Sequence, residues 1–132
     1  YGGCRMTISE VSKKYNITAD TIRYYEKEGL IPKVPRDKNG IRDFDEGSCG
    51  WIEFIKCMRS AGLEIETLKQ YVSLFKQGTK TVKERKILLM EQREKLLKKQ
   101  KDINVTLDRL NYKIEKYEEI EKGKLKDFTE KP

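Results

Sequence analysis

The side chains best suited to chemistry are cationic and aromatic, and they crowd into one short stretch. Between Lys13 and Arg42 lie eight basic and four acidic residues, a local charge of +4. Arg23 and Tyr24 stand side by side, with Lys13 and Lys14 before them and Lys38 and Arg42 after. A guanidinium presents a fork of donors to guanine O6/N7 or to a phosphate, and ammonium and phenol groups can also donate to phosphate. Arg23 is thus a candidate for specificity or anchoring. Tyr24, Lys13, Lys14, Lys38 and Arg42 are candidate anchors, and Thr18 joins the set just before the Arg23 segment. The plain alternative for each cation is a solvated surface charge.

A second reactive set is the thiols Cys4, Cys49 and Cys57, an odd count that does not suggest a disulfide scaffold. Lys56 and Arg59 flank Cys57 and would favour the thiolate that attacks an electrophilic carbon. The competing assignment is a small core residue beside Phe54 and Ala61. On one helix Cys49 and Cys57 would lie about 12 Å apart, too far for a bridge. Histidine is absent, removing imidazole as base, zinc ligand and pH switch. No nucleophile is paired with a base and no phosphate-cradling loop occurs, so an enzyme, a metal site and a cofactor are not expected. The longest apolar run, Ile87 to Met90, falls far short of the ~18 residues of a membrane span. With no signal peptide, the chain is expected to be cytosolic or nuclear.

The elements that must position these groups are mainly α-helical. Thr7-Ile8-Ser9-Glu10 is a capping box opening a helix with Ile8, Val11 and Tyr15 on one side. Asn16-Ile17-Thr18 breaks it, and Thr18 can cap a second helix from Ala19 to about Glu28, stopped by Gly29. Ile22 and Tyr25 then face inward, leaving Ala19, Arg23 and Lys27 on another face. Asp20 either accepts from cytosine N4 or simply favours the helix start. Two short helices across so small a turn form a helix-turn-helix. Ile31-Pro32 and Val34-Pro35 hold the chain extended, and Asn39-Gly40 before Ile41-Arg42-Asp43-Phe44 predicts a hairpin, which makes a wing. Asp45 caps a third helix carrying Trp51, Ile52, Ile55 and Met58 and ending at Ala61-Gly62. A fourth, from about Ile65, buries Leu68, Val72 and Phe75, with Glu64 a weak cap.

Composition changes at Gln77-Gly78: beyond it neither Pro nor Gly occurs until Gly123. Leu89, Leu96, Ile103, Leu110 and Tyr117 recur every seven residues, with Leu107 and Ile114 at the complementary seam positions. A helix from the capping-box pattern Thr81–Glu84 to about Glu121 would run ~60 Å. Its seam needs a partner, most simply a second copy. Most of the net charge of +7 lies beyond Gly78: residues 79–132 carry +5, concentrated between Lys83 and Lys101, and residues 1–78 only +2.

The run Thr21-Ile22-Arg23-Tyr24-Tyr25-Glu26-Lys27-Glu28-Gly29-Leu30-Ile31-Pro32, followed by Asn39-Gly40-Ile41-Arg42-Asp43-Phe44, resembles the signature of the MerR family of bacterial transcription regulators. The resemblance implies a winged helix-turn-helix followed by a long dimerisation helix in an antiparallel coiled coil. It implies a homodimer on double-stranded promoter DNA that bends and untwists it so that RNA polymerase engages both elements, in the bacterial cytoplasm at the nucleoid. Arg42 and Tyr24 are the anchors it favours most, while Ile41 replaces the usual wing tyrosine. The stretch Trp51–Leu63 around Cys57 is similar to the aldehyde- and electrophile-responsive branch, whose sensor is a cysteine at this place. The cysteines of metal-sensing relatives have no counterpart here. Alternatives are a DNA-binding regulator without a thiol signal and a basic coiled-coil interaction module. The expected organisation is a non-native leader remnant at 1–5 with Met6 as native start, a DNA-binding domain at 6–77, a dimerisation helix at 78–122 and a tail at 123–132.

Overall fold

The computed structural model describes residues 5–123. In chain order these form α1 (Ile8–Tyr15), α2 (Ala19–Lys27), α3 (Glu46–Ser60), α4 (Ile65–Lys76), a 3-10 turn at Thr79–Thr81 and α5 (Val82–Glu121). Each start has a local cause. Thr7 and Glu10 make the reciprocal capping box of α1, at 2.8 and 3.2 Å. The Thr18 hydroxyl accepts from the Thr21 N–H at the start of α2, and Asp45 Oδ1 accepts from the Ser48 N–H at the start of α3. Glu64 makes no side-chain cap for α4, consistent with its poor ranking as a cap. Asn16, left-handed at φ 52, turns the chain between α1 and α2 and donates back to the Ser12 carbonyl.

The core of the first unit gathers Val11 from α1, Ile22 and Tyr25 from α2, Ile52 and Ile55 from α3, and Leu68 and Val72 from α4. Leu30, Ile31, Val34 and Phe44 from the linker and wing complete it, each at most 2% exposed. Burying such a side chain stabilises by about 1.5–3 kcal/mol, so the wing legs are fixed by their own apolar residues. The bridge Met6–Phe44, with hydrogen bonds of 3.0 and 2.9 Å, joins the chain before α1 to the end of the wing.

Three expectations shift. The hairpin is reduced to one antiparallel bridge, Arg36–Arg42, and no strand occurs among the described residues. Its turn is closed by Gly40 N–H donating to the Asp37 carbonyl, with Gly40 at φ 77 and Asn39 not in the left-handed region. That pattern is a four-residue turn with glycine at its left-handed exit rather than a two-residue Asn-Gly turn. Thr81 does not cap α5. It is buried, and its hydroxyl lies 2.5 Å from the Leu74 carbonyl and 2.9 Å from that of Gly78. Phe75, expected inside, is 40% exposed and packs on Trp51 with ring centroids 4.9 Å apart.

Contacts divide the chain into two compact units, one reaching Gln92 and the other beginning at Arg93. The first extends past the compositional change at Gln77-Gly78 because the start of α5 is tied to α4. Arg85 Nε donates to Thr81 Oγ1 at 3.1 Å and its NH2 to the Gly78 carbonyl at 3.1 Å. The same guanidinium lies 5.5 Å from the Phe75 ring centre, a cation–π contact. Within α5 no residue is buried. Thr81→Val keeps the volume but strands the carbonyl and guanidinium partners of the hydroxyl. It is expected to cost about 1–3 kcal/mol, read as a lower midpoint in urea unfolding.

Candidate nucleic-acid interface

Because Ile22 and Tyr25 are buried, the period of α2 turns Asp20, Arg23, Tyr24 and Lys27 to solvent. Arg23 NH1 donates to Asp20 Oδ1 at 2.9 Å, and the Asp20 side chain is 96% exposed. Asp20 is therefore the partner of Arg23 in the free chain. So exposed a pair is worth at most about 1 kcal/mol, and Arg23 can exchange it for a phosphate or a guanine edge at little cost. Tyr24 is exposed beside it. Lys13 and Lys14 occupy the exposed last turn of α1, with the Lys14 ammonium 5.3 Å from the Tyr15 ring centre. Thr18 is exposed, with its oxygen on the Thr21 N–H and 2.7 Å from the Thr21 hydroxyl. Lys38 sits exposed in the wing turn.

Arg42 sits differently from the other cations. Its Nε donates to Glu26 Oε1 at 2.7 Å, and its side chain is 25% exposed. Glu26 Oε2 accepts from the Val34 N–H at 2.6 Å, and Arg36 NH2 approaches Oε1 at 4.0 Å. Arg36 also donates to the Gly40 carbonyl at 2.9 Å. The Glu26 side chain is only 9% exposed. Burial pushes its pKa up, but the Arg42 hydrogen bond, the Val34 N–H and the charges of Arg42 and Arg36 outweigh that and hold it below the ordinary carboxylate value. Sequence reasoning gave Glu26 no role. The available signal was a carboxylate on the flank of the apolar face of α2, with two arginines in the following wing.

The two thiols in the described residues differ in exposure. Cys57 is exposed, which overturns its reading as a core residue. Cys49 is the buried one, lying against Tyr15, where burial first and the adjacent thiol second push the phenol pKa up. Both cations expected to favour the Cys57 thiolate bind backbone carbonyls: Lys56 that of Tyr15, and Arg59 that of Leu63 at 2.6 Å. Among the described residues no group of His, Cys, Asp and Glu could hold a metal, and no helix is long and apolar enough to cross a membrane. On α5, Leu89 and Leu96 are half-buried, while Ile103, Leu107, Leu110, Ile114 and Tyr117 are exposed.

The charge of Glu26 implies a pH dependence of definite sign. A carboxyl whose folded pKa is depressed adds stability above its unfolded value, and that contribution disappears as pH falls through the folded value. Stability of the wild type should therefore decline on acidification below the ordinary value of 4.5. In Glu26→Gln that part of the decline should be absent. Urea unfolding at a series of pH values checks it.

Residues 6–74 match the family described as MerR HTH family regulatory protein, and residues 50–112 match that described as MerR, DNA binding. The chain is 53% identical over 92 residues to the HTH-type transcriptional regulator AdhR of Bacillus subtilis, covering 70% of this chain and 66% of that protein. It is similar to a crystal structure assigned to the MerR regulators of Listeria monocytogenes, at 43% identity and TM-score 0.84 over 86% of each chain. It also resembles HiNmlR, a MerR family regulator lacking the sensor domain and bound to promoter DNA. There the identity is 31% and the TM-score 0.79, over 89% of this chain and 94% of that one. An exposed cationic face on α2, a wing beside it and these matches together place the chain in the MerR family.

Proposed function

We propose that the chain is a sequence-specific, dimeric DNA-binding transcription regulator that acts by distorting promoter DNA. The observation that carries this reading is the exposed Arg23–Tyr24–Lys27 face of α2, set next to a wing, in a fold that a relative presents to promoter DNA. Arg23 is the groove-reading candidate, and Tyr24, Lys13, Lys14 and Lys38 grip phosphates. Two heads are needed for a two-fold operator, and the seam of α5 from Leu89 to Tyr117 supplies the dimer contact, as an antiparallel coiled coil. Bending a site costs several kcal/mol, which contacts made only on bent DNA must offset. The consequence of that bend is access for RNA polymerase, in the bacterial cytoplasm.

The signal in this reading is a reactive aldehyde or other electrophile at Cys57. Its support is the exposure of that thiol and the similarity to the electrophile-responsive branch. A regulator with the same DNA contacts and no thiol signal is the second reading, favoured by the engagement of Lys56 and Arg59 elsewhere.

Two outcomes test these readings. Arg23→Ala should weaken binding to a cognate promoter duplex by about 1–3 kcal/mol, and wild-type affinity should fall steeply with salt. Binding that ignores both sequence and this substitution would instead indicate a basic interaction module. Aldehyde exposure should induce the target promoter with wild type but not with Cys57→Ser; equal induction selects the regulator without a thiol signal.

A further inference from the structure

We propose that Glu26 is the positioning residue that sets the spacing between the reading helix and the wing, and that Arg42 acts as its strut and not as a phosphate anchor. The inference rests on the DNA-binding reading and assigns residues within it. Its basis is a convergence on one carboxylate. Glu26 receives the Val34 N–H from the leg entering the wing and Arg42 Nε from the leg leaving it. Arg36, which ties itself to the turn through the Gly40 carbonyl, approaches the same oxygen as Arg42. Both legs and the turn are thus referred to a single side chain of α2, one turn beyond Arg23.

The wing's other restraints are apolar burial, the Met6–Phe44 bridge and two backbone bonds. Those bonds run from the Asp37 N–H to the Ile41 carbonyl at 2.9 Å and from the Asp43 N–H to the Pro35 carbonyl at 2.8 Å. One backbone bridge replaces a strand ladder, and the turn is braced within itself by Asp37 Oδ1, which accepts from Asn39 and Ile41 N–H at 2.8 and 3.0 Å. Apolar burial of Val34 and Phe44 fixes the bases of the legs but is non-directional. Hydrogen bonds of a buried charge fix both distance and angle. Replacing a buried ion pair with apolar residues often leaves stability unchanged, so what such a pair supplies is geometry. Here the geometry is the distance from Arg23, on the reading face, to Lys38, exposed in the turn. A misplaced wing lowers the match to the correct duplex, whereas contacts with an arbitrary phosphate backbone tolerate the shift.

The test uses the full chain and two probes: a duplex selected by wild type from a random-sequence pool, and a shuffled duplex of equal length. Glu26→Gln is expected to weaken the selected duplex about tenfold, roughly one charge-assisted hydrogen bond, with the shuffled duplex and the salt slope unchanged. Arg42→Gln should do the same, and the double variant should lose no more than either alone. Arg42→Lys keeps the charge but not the Nε geometry, so it should also lose the selected duplex; a phosphate anchor would survive that change. In the free protein, Glu26→Gln should accelerate exchange of the Val34 amide. Three results overturn the proposal: equal or tighter binding of both duplexes by Glu26→Gln, a salt slope reduced by about one in Arg42→Gln, or an unchanged Val34 amide. Wild type that cannot distinguish the duplexes refutes the DNA reading itself, and the amide measurement still decides the strut.

Discussion

Removing a carboxylate from water costs several kcal/mol unless donors replace the lost hydration. Glu26 meets that condition with one backbone N–H and two guanidinium groups, drawn from residues 8 to 16 positions further along the chain. The constraint acts in both directions. The carboxylate is tolerated inside only because the wing folds over it, and the wing is located because those donors must reach it. Around this pair the remaining elements arrange themselves with little freedom: Ile22 and Tyr25 take the core side of α2, and Arg23 and Tyr24 are left facing solvent.

A second polar knot governs the passage from the head to the long helix. Thr81, the buried polar residue of the described core, is served by Leu74, Gly78 and Arg85. Arg85 spreads over Phe75, which packs on Trp51, so side chains of α3, α4 and α5 meet in one chain of contacts. Such a corner holds the start of α5 on the head by hydrogen bonds and ring contacts rather than by a deep core. Phe75 remains partly open even with that cation over its ring. Further along, α5 buries nothing of its own, and its stability in water depends on what covers the seam.

Charge distribution separates the parts in the same way. The long helix carries 11 basic and nine acidic side chains, a net of only +2 on a solvated surface, whereas the +4 between Lys13 and Arg42 is spatially focused around α2 by burial of its other face. Overall basicity would have directed attention to the wrong half. The geometry of one nine-residue helix corrects it.

Much was legible in the sequence alone, because the signals were local. Caps at Thr7, Thr18 and Asp45, the left-handed break at Asn16 and the stop at Gly29 act within four residues, so periodicity and capping chemistry foretell the helices and their exposed faces. The exposed face of α2 and the apolar heptad positions of α5 follow from period alone. What only the tertiary structure decided are contacts between residues far apart in the chain. Those are the pairing of Arg42 with Glu26 and the choice of Cys49 as the buried thiol and Cys57 as the exposed one. The inward turn of Thr81 needed the placement of α4 and α5. None has a local signature: a side chain's helical phase says which way it points, and only the packing of other segments says what it meets there.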